Sequence, residues 1–300
     1  MHTDQVDVTE SQVAALLTDQ VPVLAGLRVV AWPAPGTVHA IFRIGAHAAG
    51  RFPRRLRDPE VVASELGSAA SAANEFRAAS AIPSPEPIHV GRPGRGFPMP
   101  WSVHTWVPGT TATPLSCAHS STFAADLASL LRELRGWPTR GRRFEGGGRG
   151  GDLRDHDEWV LECIRRNGEH FDADALTAMW VRFRVLGRED PDVMSHTDLI
   201  PANLLVDDDR LVGVLDTGGF GAADPALDLV GAWHLFEEEP RARLRDELGC
   251  SDLQWERGKA WAFQQAVGLP WYYRDTNPVM AALGACTLRR LMAAEVGLTQ

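Results

Sequence analysis

No run of apolar residues in this 300-residue chain is long enough to span a bilayer, and its polar start, Met1 to Thr9, lacks the charged-then-apolar pattern of a secretory signal. A soluble cytoplasmic protein is the expectation. Cysteine is scarce: Cys117, Cys163, Cys250 and Cys286 are far apart and make no C-x-x-C pair, so neither a zinc site nor a disulfide framework is signalled. They read as buried thiols in a reducing compartment. Excess positive charge is lacking too, since the formal net charge is -9, and a general nucleic-acid binder would need clustered Lys and Arg facing phosphates. The acidic balance is of the kind that keeps proteins soluble, and it would also suit a cationic substrate. Hydrophobic side chains are plentiful at 44%, enough for a substantial core in one large domain or two lobes.

Thr9-x-x-Gln12 fits a capping box, and Val13, Leu16 and Leu17 share one face of the helix it would open, which should end before Pro22. From Val29 to Arg55 short apolar stretches such as Val38 to Ile44 are broken by Gly36, Gly45 and Gly50, as in a glycine-punctuated antiparallel sheet. Pro59 to Ser80 reads as an alanine-rich helix, and Ile88 to Val90 and Ser102 to Val107 as two further strands. Beyond Gly109 the period changes. Phe123, Leu127, Leu130, Leu131 and Leu134 recur at helical spacing, and segments around Trp159, Trp180 and Trp261 also read as helices. The Gly- and Arg-rich stretch Gly141 to Asp152 reads as an exposed loop, a plain linker in preference to a clamp on substrate or phosphate.

The chemistry concentrates in Ser195-His196-Thr197-Asp198-Leu199-Ile200-Pro201-Ala202-Asn203, followed by Leu204 to Val206, a turn at Asp207 to Asp209, the strand Leu211 to Leu215, and Asp216-Thr217-Gly218. A hairpin returns the chain to where it began, so a carboxylate before it, an amide at its entry and a carboxylate at its exit can converge. Hard oxygen donors of this kind suit phosphoryl transfer, in which they hold Mg²⁺ against a triphosphate while another carboxylate accepts the proton of the attacking hydroxyl. Asp198 is then the base, and Asn203 and Asp216 the metal ligands. Singly, each could be a turn or cap residue. The full order H-x-D-x-x-x-x-N, apolar hairpin, D-x-G argues for function. His196 reads as structural, supporting the loop from behind.

His196 to Asn203 and Asp216 to Gly218 resemble the catalytic loop and metal-binding motif of the aminoglycoside phosphotransferases, relatives of the protein kinases. Asp224-Pro225-Ala226-Leu227-Asp228-Leu229 resembles their next landmark, with Asp224 as a helix cap and Asp228 reaching back to backbone donors near the catalytic loop. The resemblance implies an α/β, protein-kinase-like two-lobed fold: a small antiparallel-sheet lobe over residues 1–107 that binds nucleotide, and a larger helical lobe over 108–300 with the catalytic loop and substrate site. It also implies Mg²⁺ as cofactor and ATP or GTP as phosphoryl donor. Phe42-Arg43-Ile44-Gly45 and Arg51-Phe52-Pro53-Arg54 are similar to the second and third strands, placing Arg51 where protein kinases carry a phosphate-binding lysine. Glu65 is the nearest acid for an ion pair with it, although the family register falls closer to Ala69. Pro35-Gly36-Thr37-Val38 takes the place of a richer glycine loop over the nucleotide. By position before Pro108-Gly109, the Thr105 carbonyl and Val107 amide would meet the base, with His104 behind.

The implied function is transfer of a γ-phosphate to a hydroxyl of a small molecule, an antibiotic such as an aminoglycoside, with no nucleic-acid or membrane partner. A macrolide or other natural-product kinase and a nucleotide-binding pseudokinase regulator are the alternatives, and a metal-dependent hydrolase would leave the D-x-G placement unexplained. Trp233, His234 and Glu237 to Glu239, or Trp271 to Asp275, are expected to shape the acceptor pocket.

Overall fold

The structure is a computed structural model that describes residues 6–33, 38–146, 148–168 and 170–297. It divides into two compact units, one of Met1–Pro108 with Val214–Gly219 and one of Gly109–Gly213 with Phe220–Gln300. The short segment Val214–Gly219, expected with the helical lobe, thus belongs with the first unit. Its anchor there is a hydrogen bond of 2.9 Å from the Val214 amide to the Pro83 carbonyl.

The first unit starts with helix α1 (Glu10–Gln20), whose Thr9 side chain accepts from the Gln12 amide while Gln12 returns a bond to the Thr9 backbone. The capping box read from sequence is therefore made. Strands β1 (Val29–Trp32), β2 (His39–Ile44) and β3 (Ala48–Pro53) precede helix α2 (Pro59–Ala79), and β4 (Pro87–Gly91) and β5 (Trp101–Thr105) follow it. The five strands form one antiparallel sheet in the order β1-β2-β3-β5-β4. Register sorts its side chains into two faces, because cross-strand partners project together and neighbours along a strand oppose each other. Phe42, Ile44, Phe52, Trp101 and Val103 fall on one face, where with Val13, Leu16 and Leu17 of α1 they make a buried core. Phe52 stacks on Trp101 with centroids 5.1 Å apart. The opposite parity collects His39, Arg51, Ser102 and His104, since Ile41 pairs Arg51, Arg51 pairs Ser102, and Ala49 pairs His104. That is the polar face.

The second unit carries β6 (Thr110–Thr111), helices α3 (Ser121–Gly136), α4 (Asp157–Asn167) and α5 (Ala173–Phe183), then β7 (Val193–Ser195), β8 (Leu204–Asp207), β9 (Arg210–Val214) and β10 (Gly221–Ala223). Helices α6 (Val230–Leu235), α7 (Glu238–Leu248), α8 (Asp252–Ala266), α9 (Leu269–Tyr272) and α10 (Pro278–Gly297) complete it. The leucines of α3 are fully buried, as their spacing predicts. In its core Trp180 stacks on Phe263 at 6.0 Å. Gly258 of α8 lets Leu229 approach so closely that an added Cβ would lie 2.7 Å from the Leu229 Cβ. Among the described residues, no helix is long and apolar enough to cross a membrane.

Candidate active site

In the second unit, β7 leads into the loop that carries His196, Asp198 and Asn203. Asp228, itself buried, accepts from the amides of His196 at 2.9 Å and Thr197 at 3.2 Å, so one carboxylate clamps the two peptide units that precede Asp198. Thr197 is held at φ +71, a left-handed conformation that a β-branched residue seldom adopts and that costs of order 1–3 kcal/mol. The surroundings hold it there. His196 is fully buried, with its Nδ1 3.4 Å from the Asp198 amide, consistent with a supporting role. The landmark after the loop is fixed by Asp224, whose Oδ1 caps Ala226 at 2.9 Å while Oδ2 takes the Arg257 guanidinium at 2.5 Å in a buried ion pair.

Asp198 and Asn203 are brought together. The Asn203 Nδ2 donates to the Asp198 carbonyl at 2.9 Å and lies 3.5 Å from Asp198 Oδ2. With its nitrogen committed in this way, the amide presents Oδ1, to which no described group donates. Strands β8 and β9 follow, joined by Asp208 and Asp209, both at positive φ, as a tight two-residue hairpin turn demands. Arg149, from the Gly- and Arg-rich loop, donates to Asp198 Oδ1 at 3.0 Å. The loop is therefore more than a linker.

In the first unit, Asp216 sits at φ +55, and Arg51 of β3 reaches its Oδ1 at 3.0 Å. The expected partner of Arg51 is different. Glu65, in the second turn of α2, is engaged at 2.6 and 2.7 Å by Arg57 of the chain that leads into the helix. Ala69, where the family register would put an acid, is an alanine against which the D-x-G glycine packs, since a Cβ on Gly218 would come within 2.9 Å of the alanine Cβ. Arg51, Asp216, Gly218, His39 and His104 line a cavity of about 530 Å³ with Val62, Leu66 and Ala69 of α2. Burial pushes the imidazoles of His39 and His104 down to about 4, the Arg51 guanidinium adds to this, and Asp216 opposes it. Both therefore stay neutral at pH 7, and His104 shares a hydrogen bond of 3.0 Å with Ser102.

Apart from the carbonyl expected to meet the base, the Thr105 amide donates to the Glu86 carbonyl at 2.9 Å, and no described group accepts from the half-buried Val107 amide, which leaves a donor for a ligand. Beside it, Arg43 lies 4.4 Å over the Trp106 ring, and Trp106 meets Trp32 edge-on at 4.9 Å. Gly36 and Thr37 lie outside the described residues. Trp233 and His234, expected in a pocket wall, are instead core: His234 is fully buried between Thr287 and Gln265, and Arg241 packs over Trp233 at 4.2 Å. Glu237 holds Arg290 at 2.8 Å. Trp271 of α9 is stacked under Arg166 at 4.6 Å. Sequence reasoning missed Arg149 as a site residue and the pairing of Arg51 with Asp216, and the arginines of the 141–152 loop were the one available signal for the former.

Among the described residues, no cluster of three or more His, Cys, Asp or Glu side chains could hold a metal. Asn203 Oδ1 in the second unit and the Asp216 carboxylate in the first are each oxygen donors, the ligand chemistry that Mg²⁺ takes.

The chain belongs to the phosphotransferase enzyme family (APH), whose model matches residues 34–261. It is accordingly of the small-molecule phosphotransferase type, with the kinase-like fold of that family. Among solved structures, the GDP complex of an aminoglycoside 2'-phosphotransferase-IIIa superposes with a TM-score of 0.67 at 16% identity, covering 96% of this chain and 100% of that one. A macrolide 2'-phosphotransferase type I gives 0.61 at 19% identity with 95% and 98% covered, and the macrolide 2'-phosphotransferase MphH of Brachybacterium faecium gives 0.59 at 16% with 93% and 97%. No curated protein matches the chain in sequence.

Proposed function

We propose that the protein transfers the γ-phosphoryl group of ATP or GTP to a hydroxyl of a small natural product, an aminoglycoside in the first instance. The observation that carries this reading is the strained, doubly clamped loop that presents Asp198 beside Asn203. Strain at φ +71 in a loop pinned by a buried carboxylate is structure spent on aiming one side chain. Asp198 accepts the hydroxyl proton, Asn203 and Asp216 hold Mg²⁺, and Arg51 contacts phosphate. Held there, the cation would supply charge neutralisation, and positioning with charge stabilisation supplies most of the acceleration. Arg51 reaches Asp216 without an acid on α2. The Val107 amide is the base-binding donor in this reading, and the likeness to a relative solved as a GDP complex supports a nucleotide as the ligand.

An aminoglycoside is favoured by the net charge of -9 and by likeness to aminoglycoside phosphotransferases; likeness to macrolide phosphotransferases supports the second acceptor class. The test is transfer with Mg²⁺ from ATP and GTP to a panel of hydroxylated antibiotics and metabolites, read as a phosphate-sized mass gain. Asp198→Asn is expected to lower the rate by about 10²–10⁴-fold. Nucleotide binding without transfer to any acceptor would favour a regulator, and no binding at all would refute the reading.

A further inference from the structure

We infer that Arg149 is a catalytic residue of the proposed transfer, supplying the cation that stabilises the phosphoryl group as it passes to the acceptor. The inference rests on the kinase reading above. From Ser195 to Val206 the catalytic loop contains no basic residue except the fully buried His196, so it has no cation of its own for the charge that develops next to Asp198. Arg149 comes from a separate loop and places Nη2 3.0 Å from Asp198 Oδ1. The side chains of the pair are 35% and 37% exposed, and ion pairs that open to water contribute little to stability. Folding energetics do not explain the contact.

The loop is nevertheless built to deliver it. The Phe144 amide donates to Asp192 Oδ2 at 2.9 Å, and its ring packs so closely on Gly151 that a Cβ there would sit 2.9 Å away. On the other side Asp152 Oδ1 caps the Arg154 amide at 2.9 Å, and the neighbouring Leu153 is buried. Arg149 is held from both flanks.

In the step itself the acceptor hydroxyl gives its proton to the Asp198 carboxylate and its oxygen bonds to the γ-phosphorus. The bond from that phosphorus to the β,γ-bridging oxygen breaks, and the nucleoside diphosphate leaves with the electron pair. A hydroxyl in hydrogen-bond reach of Asp198 puts the transferring group within reach of a guanidinium already 3.0 Å from that carboxylate. Its planar fork can then engage two equatorial phosphoryl oxygens. Asp198 retains further lone pairs for the proton while Arg149 is in place.

The experiment compares wild type, Arg149→Ala, Arg149→Lys and the exposed loop control Arg143→Ala in magnesium-dependent transfer, with nucleotide affinity titrated separately. Arg149→Ala is expected to lose about 10²–10³-fold in kcat with nucleotide Kd and Tm unchanged and to recover in part with added guanidinium, whereas Arg149→Lys should lose less and Arg143→Ala should match wild type. A second arm titrates nucleoside diphosphate with aluminium fluoride, a mimic of the transferring group. Arg149→Ala should bind it more weakly than wild type does while binding the diphosphate alone equally well, and this arm decides if no acceptor in the panel is turned over. An unchanged kcat, a loss confined to the acceptor KM, or equal fluoride binding overturns the inference and leaves the kinase reading standing. A wild type that binds no nucleoside triphosphate overturns both.

Discussion

Replacing His39 and His104 together by Gln should flatten the acid side of the stability profile. Both imidazoles line the cavity beside α2 and are depressed to about 4 from an ordinary value of 6.5, by burial first and then by the Arg51 guanidinium. The folded chain therefore binds fewer protons than the unfolded chain between those limits. The stability the two imidazoles contribute is intact above pH 6.5 and drains away as the pH falls toward 4. Integrating one such group from pH 7 to pH 5 gives a loss of about 2 kcal/mol, and the pair together roughly 3–4 kcal/mol. Urea unfolding of wild type and His39→Gln/His104→Gln at both pH values measures this directly. His234, depressed to about 4 by burial in the other unit, is common to both proteins and cancels in the comparison. Wild type should lose several kcal/mol more than the double variant on acidification. Equal losses would mean that these imidazoles are hydrated and that the cavity wall is not as described.

Arg257→Met should destabilise by about 3–5 kcal/mol in urea unfolding, because it strands the buried Asp224 carboxylate, and Asp224→Asn in the same chain should recover part of the loss. Gly258→Ala should cost about 1–3 kcal/mol in the same assay, since its Cβ is driven against Leu229. Glu65→Gln should leave transfer within about twofold of wild type while Arg51→Ala raises the nucleotide KM by tenfold or so, the order expected from losing one charge-assisted contact. A large effect of Glu65→Gln would restore it as the partner of Arg51.

Features governed by neighbours a few residues away were legible in the sequence. Thr9 and Gln12 announce the start of α1, the leucine spacing announces α3, and the apolar stretches on either side of Asp207 to Asp209 announce the hairpin of β8 and β9. Features that depend on which side of an element meets which neighbour were not. Glu65 is on the helix where an ion-pair partner was sought, yet the helix turns it toward Arg57, and Trp233 and His234 are aromatic and polar in a motif-rich stretch but rotate into the core. Arg149 lies in a loop with no periodicity. Nothing in one dimension relates it to a carboxylate 49 positions later, whereas in space a single hydrogen bond does.

The segment Val214–Gly219 has a consequence for modularity. The first unit is discontinuous in the chain, completed by six residues that arrive only after the whole stretch Gly109–Gly213 has been made. During synthesis its α2 helix must wait for Gly218 to cover Ala69, and Pro83 must wait for the Val214 amide. A fragment ending at Pro108 would lack Asp216 as well, leaving Arg51 without the carboxylate it holds. Exchange of this unit between relatives by a single crossover at Pro108 would therefore transplant an unfinished sheet-and-helix layer, and a graft that respects its physical boundary needs two donor pieces, Met1–Pro108 and Val214–Gly219.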